Sequence, residues 1–219
     1  MAYFYPLVRG WSATQATDWI QNNSYGQFMT ILFVESISVW LLYIFLKRRQ
    51  ANFDTIGLKR RPKWSDLAYV LMGFAGYLLL YIVILGIVKN LQPHLNVDQQ
   101  QDLGFNNPTH IQLPLVFVSL VLLPPIAEEL LMRGFLYSGL KKGLPVIWAV
   151  LITSGLFGIA HLEPGSGEPL LWVAAIDTFV LSLVLIYLRE KTGSLWASIG
   201  LHMLKNLIAF LSLFVFHLV

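Results

Sequence analysis

Three short polar runs interrupt a chain that is otherwise strongly apolar. They are Glu128-Glu129 with Arg133, Phe157 with His161, and His202 with Asn206. An ionisable side chain inside a membrane span costs about 2.5–3.5 kcal/mol on insertion scales, so each one needs a reason. Glu129 and Arg133 are spaced i and i+4 in the favourable acid-before-base order, which suits an ion pair on one helix face. Glu128 is rotated about 100° away by the helical period, so it points elsewhere and is free to hold a water. His202 and Asn206 also stand at i and i+4 and can donate two hydrogen bonds to one oxygen. An acid that can activate water, a histidine that can orient it and paired donors for an oxyanion are what peptide hydrolysis requires. Each run also has a plainer reading. Glu129–Arg133 could only lock helices together, His161 could be an interfacial side chain, and His202 and Asn206 could make ordinary interhelical hydrogen bonds.

The elements that must carry these residues follow from composition. Hydrophobic residues make up 56% of the 219, aromatics 14% and charged residues 12%, with a mean hydropathy of +0.64. An ordinary soluble domain carries about 25% charged residues. The expectation is an all-α, polytopic membrane helix bundle. Disorder is excluded by the high hydrophobicity. The absence of cysteine excludes a cysteine nucleophile, iron–sulfur ligation and thiolate zinc sites.

A bilayer core of about 30 Å needs roughly 20 apolar residues per helix. Six segments qualify, at approximately Phe28–Leu46, Leu67–Val88, Leu113–Leu140, Pro145–His161, Leu170–Leu188 and Ser194–Leu218. The first has neither the basic leader nor the cleavage site of a signal peptide. Residues 1–26 read as an N-terminal interfacial segment, with a short helix within Ser12–Gln27 carrying Trp11, Trp19 and Ile20. Residues 27–111 hold the first two spans and a polar outer loop, and residues 112–219 hold the polar runs. Gly165–Glu168 reads as a short outer turn. Pro124 and Pro125 should break the third span, and a helix restarting after them would place both glutamates in its first turn.

Eleven cations fall on one side of these spans: Lys47, Arg48, Arg49, Lys59, Arg60, Arg61, Lys63, Lys141, Lys142, Arg189 and Lys191. Only Arg9 and Lys89 fall on the other. Cytoplasmic loops hold the excess of Lys and Arg, so both termini should face away from the cytoplasm. The clusters are short and lie between apolar runs, so the charge is no signal for nucleic acid. Lys205 should pair with Asp177 or Glu35, because an unpaired charge in the bilayer is costly. Counted along the spans, His202 lies shallower than His161, with Glu128 between them. An active site requires tilt and the proline break to bring the three level.

The runs EExxxR at Glu128–Arg133, FxxxH at Phe157–His161 and HxxxN at His202–Asn206, in this order, resemble the CAAX protease and bacteriocin-processing family. That family includes the type II CAAX prenyl endopeptidases and some bacteriocin immunity proteins. The run Gly193-Ser194-Leu195-Trp196 is similar too, and the resemblance covers about residues 112–210. Six spans would be fewer than the eight of the family's better-known member. The resemblance implies an intramembrane glutamate-type endopeptidase without a cofactor. Glu128 would be the general base, His161 would orient the water, and His202 and Asn206 would form the oxyanion site. Glu129 and Arg133 would set the position and field around Glu128. The partners would be membrane lipid and a peptide or protein substrate, and the compartment the plasma membrane of a bacterium.

Other readings use some of the same residues. Glu128, His161 and His202 could ligate zinc as a His₂Glu set with a water in the fourth position. No HExxH is present, since His161-Leu162-Glu163 runs into Pro164. A non-catalytic immunity or scaffold protein would keep its role without Glu128. A transporter would route ions past Glu35, Glu128, Asp177 and Lys205. A Gly-x-Ser-Gly run and a Gly-Asp motif, which would mark two other classes of intramembrane protease, are both absent. The charge asymmetry sets the first test. A phosphatase reporter inserted within residues 47–63 should be inactive in a bacterial host, and one inserted within residues 89–112 should be active.

Overall fold

The computed structural model describes residues 9–96, 105, 108–162 and 170–218. The expected outer turn at Gly165–Glu168 and part of the loop before Gln112 lie outside the described residues. Among the described residues, seven helical stretches follow one another besides the single wide turn Asp54–Leu58: α1 (Ala13–Asn22), α2 (Ser24–Arg48), α3 (Trp64–Leu91), α4 (Leu113–Leu140), α5 (Val146–Ala160), α6 (Trp172–Thr192) and α7 (Trp196–Val215). Among the described residues, α2, α3, α4, α6 and α7 are long and apolar enough to cross a membrane. The protein is therefore a helical membrane bundle. The expected sixth span is α5, whose 15 residues rise only about 22 Å. Its length is cut by Pro145 at the start and by the helix end at His161, so it is a short apolar helix packed against the bundle by one face.

The short helix expected within Ser12–Gln27 is α1. Ser12 caps it in a reciprocal box with Gln15. Asn23 ends it and caps α2, its side chain accepting from the amides of Tyr25 and Gly26. Gly26 lets the two helices fold back closely. A Cβ there would lie 2.5 Å from the carbonyl oxygen of Trp19.

The core is built from α3, α6 and α7. Val70, Tyr77, Val180, Leu181, Leu185, Leu188, Ala197 and Leu201 form one buried cluster. The lipid-facing surfaces remain apolar, with Leu79, Ile82 and Trp148 all more than half exposed. One polar link crosses the cluster. Lys205 Nζ lies 2.7 Å from Asp177 Oδ2, and the Tyr77 hydroxyl donates to the same carboxylate. Asp177, rather than Glu35, is thus the partner of Lys205, and the link ties α3, α6 and α7 together. This leaves the four residues of the transporter reading divided, because two of them neutralise each other.

The cationic loops gather at one end. Lys141 pairs with Glu190, which brings the ends of α4 and α6 together. The wide turn Asp54–Leu58 docks on the Gly193–Trp196 run. The backbone N–H of Leu195 and the Ser194 hydroxyl both donate to the carbonyl of Gly57 at 3.1 Å, and Trp196 Nε1 donates to that of Arg60 at 2.6 Å. Gly57 has φ +120°, and a Cβ there would lie 2.9 Å from the Arg189 guanidinium. A side chain at position 57 would be strained by that φ and would have to displace the Arg189 guanidinium.

Helix α5 closes over α6. A Cβ on Gly158 would sit 2.8 Å from the carbonyl of Ala175 and 3.1 Å from Phe179. The close approach is made at Gly158, while Ala160 is exposed. Gly158→Val should lower the unfolding free energy in detergent by about 1–3 kcal/mol through overpacking. Gly155→Val, with no neighbouring atom within 4 Å of the new Cβ, should change it by no more than about 0.5 kcal/mol, because valine is no poorer a helix former than glycine.

Candidate active site

Helix α4 carries the acids, and it is not a regular helix. α-Helical turns at Leu113–Phe117 and Leu123–Glu129 alternate with wider π-helical turns at Val118–Leu122 and Leu130–Tyr137. The wide turn before the prolines absorbs the break. The α-helix restarts at Leu123, ahead of Pro124 and Pro125, so Glu128 and Glu129 end this segment and do not lie in its first turn. The expected first-turn placement is corrected accordingly: proline suits a helix's opening positions, where no intrahelical donor is needed. Single-turn π segments recur at functional sites, and here two of them flank the acid pair.

Glu129 and Arg133 form the expected ion pair. Arg133 Nη1 donates to Glu129 Oε1 at 2.8 Å, and both side chains are 0% exposed. The same Oε1 lies 3.1 Å from His202 Nδ1 on α7. A carboxylate engaged by arginine has no proton to give, so His202 donates through Nδ1. Its Nε2 then faces Glu128, whose Oε2 lies 3.8 Å away. That oxygen is enclosed and has no hydrogen-bond partner, while 26% of the Glu128 side chain is accessible. The neighbouring glutamates thus have opposite surroundings. Glu129 is sealed and paired through Oε1, Glu128 is partly open, and each keeps an Oε2 without a hydrogen-bond partner.

Phe157 is the hub beneath them. Its ring lies 4.3 Å from the Arg133 guanidinium carbon, and the His161 and His202 rings pack edge-on against it at 4.7 and 5.9 Å. A cation over a ring face is attracted by the ring quadrupole. His161 Nδ1 lies 2.8 Å from the carbonyl of Phe157. A carbonyl only accepts, so Nδ1 carries the proton and the neutral ring keeps a lone pair on Nε2. Phe157 is thus the common contact of both histidines, while Glu128 is brought near His202 alone.

Asn206 lies elsewhere. Its Nδ2 donates to the carbonyl of Leu120 at 2.8 Å. The sequence pattern paired it with His202 on one face, yet this bond goes to backbone one turn before the proline pair. The alternative metal ligands Glu128, His161 and His202 do not form a ligand cluster. Among the described residues no three His, Asp or Glu side chains converge as a metal site. The central place of Phe157 is not legible in the sequence, where it appears only as the first residue of the run that ends at His161.

Residues 110–208 match the family model described as type II CAAX prenyl endopeptidase Rce1-like. All three polar runs of this helical membrane protein fall inside the matched region, which spans a little under half of the chain. Two relatives come from Bacillus subtilis (strain 168). The "Uncharacterized protein YyaK" is 31% identical over 181 residues, which cover 81% of this chain and 56% of the relative. The "Putative membrane peptidase YdiL" is 26% identical over 206 residues, covering 90% and 75%. The chain thus spans little more than half the length of the first of these. No solved structure matches it.

The buried ion pair sets a test of stability. Arg133→Met leaves the Glu129 charge sealed without its cation and should destabilise the protein by about 3–5 kcal/mol. Glu129→Gln combined with Arg133→Met removes both charges and should recover at least half of that loss, measured by chemical unfolding in detergent.

Proposed function

We propose that the protein is an intramembrane endopeptidase in which Glu128 activates the hydrolytic water. One observation carries the reading: the unpartnered Glu128 Oε2 stands 3.8 Å from His202 Nε2. That gap is too wide for a direct hydrogen bond and is of the size a bridging water spans. The Rce1-like match supports the same class of activity. The relatives point to the plasma membrane of a bacterium as the compartment, and the substrate is a peptide or protein delivered from the lipid.

In this reading Glu128 takes a proton from the water as its oxygen attacks the scissile carbonyl carbon. The carbonyl π pair moves onto oxygen. His202 keeps Nδ1–H on Glu129, and as an oxyanion donor it would need a second proton, on Nε2, when the carbonyl oxygen gains charge. The second amide proton of Asn206 is the other candidate donor. His161 accepts a water proton through Nε2 and so orients the water. When the tetrahedral intermediate collapses, the C–N bond breaks and Glu128 returns its proton to the leaving nitrogen. Glu129 and Arg133 hold His202 in place.

The test uses the full chain in proteoliposomes with a panel of fluorescence-quenched peptides, some bearing a C-terminal prenylated cysteine, alongside elemental analysis for zinc. Glu128→Gln should lower cleavage by about 10²–10⁴-fold, and His202→Ala and His161→Ala should each cost at least about tenfold, with no stoichiometric metal in the wild-type protein. One zinc per chain, lost in each of these variants, would replace the glutamate mechanism with a metal one. Unchanged activity or host phenotype in Glu128→Gln would leave an immunity or scaffold protein.

A further inference from the structure

We infer that Asn206 is a positioning residue whose principal bond replaces a backbone hydrogen bond that the double proline deletes. The carbonyl of Leu120 would ordinarily accept from the amide four residues on, or five in a wide turn. Those positions are Pro124 and Pro125, and neither has an N–H. The adjacent amide of Leu123 is already used, since it donates to the carbonyl of Val118. Leu120 is thereby left with an orphaned acceptor at membrane depth, where water is scarce and an unsatisfied backbone group is costly. Asn206 Nδ2 fills it from α7 at 2.8 Å.

The consequence reaches the acids. The segment restarting at Leu123 is seven residues long and ends at Glu129. Its upstream end has lost its own ladder, so its seat against α7 is held by two crosslinks. Glu129 to His202 is one and Leu120 to Asn206 is the other. The two α7 residues lie one turn apart and engage points nine residues apart on α4. Together they fix both the tilt and the height of the segment, and so place Glu128 opposite His202 Nε2. Asn206 therefore acts on the chemistry through α4, whichever groups also meet the substrate.

The inference rests on the peptidase reading only for its kinetic arm, and a compensating substitution tests it. Pro124→Ala restores an N–H four residues after Leu120, so it should relieve the need for Asn206. Four full-length proteins are compared in detergent and in proteoliposomes: wild type, Asn206→Ala, Pro124→Ala and the double variant. Asn206→Ala should lower the unfolding midpoint by about 3–6 °C. It should lower kcat on the quenched peptide by about 10²-fold with KM unchanged, as expected from a displaced catalytic group. In the Pro124→Ala background the same substitution should cost less than a third as much in both readouts, giving a clear coupling in the double-mutant cycle.

Equal costs in the two backgrounds would overturn the inference. So would a loss of kcat with an unchanged midpoint that Pro124→Ala does not restore, because Asn206 would then act on the substrate directly. If Asn206→Ala fails to fold, recovery of a folded protein in the double variant supports the inference and failure to recover overturns it. If no peptide is cleaved by any of the four, the peptidase reading fails while the midpoints alone still decide the role of Asn206.

Discussion

One carboxylate oxygen organises this bundle. Glu129 Oε1 accepts from Arg133 on its own helix and from His202 on α7, in a place no solvent reaches. Burying a charge so completely is tolerable only when it is paired and hydrogen-bonded. That requirement fixes three things together. It holds Arg133 over Phe157, it sets which nitrogen of His202 carries the proton, and it turns Glu129 away from any chemistry of its own. Glu128, its neighbour, keeps an enclosed oxygen without a hydrogen-bond partner and an accessible flank, which is why the proposed mechanism assigns it the water.

The same site depends on a helix that is deliberately imperfect. A regular α4 would run its ladder through positions 124 and 125, which proline forbids. Wide turns on both sides take up the irregularity, and the price is an orphaned carbonyl that a side chain from another helix must satisfy. Backbone irregularity inside a membrane is tolerated only where protein or a polar cavity satisfies it. Here the irregular stretch and the polar site occupy the same place in the bundle, each supplying what the other needs.

Away from the site, polar contacts hold the frame. The Tyr77–Asp177–Lys205 link fastens α3 to α6 and α7. At the cationic end, the Gly193–Trp196 run receives the turn at Gly57 and the carbonyl of Arg60. These bonds explain that run structurally: Gly193 with φ +65° reverses the chain, and the residues after it present donors to a neighbouring loop. They also explain why loops with so many cations lie together, since Lys141–Glu190 and the Gly57 contacts bind three connections at one end of the bundle.

Much of this was legible in the residues themselves. Apolar run lengths announce membrane helices because the bilayer imposes one length scale, and the i, i+4 spacing of Glu129 and Arg133 announces their pair because both lie on one helix. The asymmetry of the two glutamates followed from the helical period alone. What the residues could not announce was any contact between elements. The short reach of α5, the hub at Phe157, the choice of Asp177 for Lys205 and the bond from Asn206 to Leu120 all depend on how helices tilt and on which backbone groups go unpaired. Local spacing determines which side chains share a helix face. Only the packed bundle decides what each face meets, because a buried donor or charge takes the partner that geometry brings within about 3 Å.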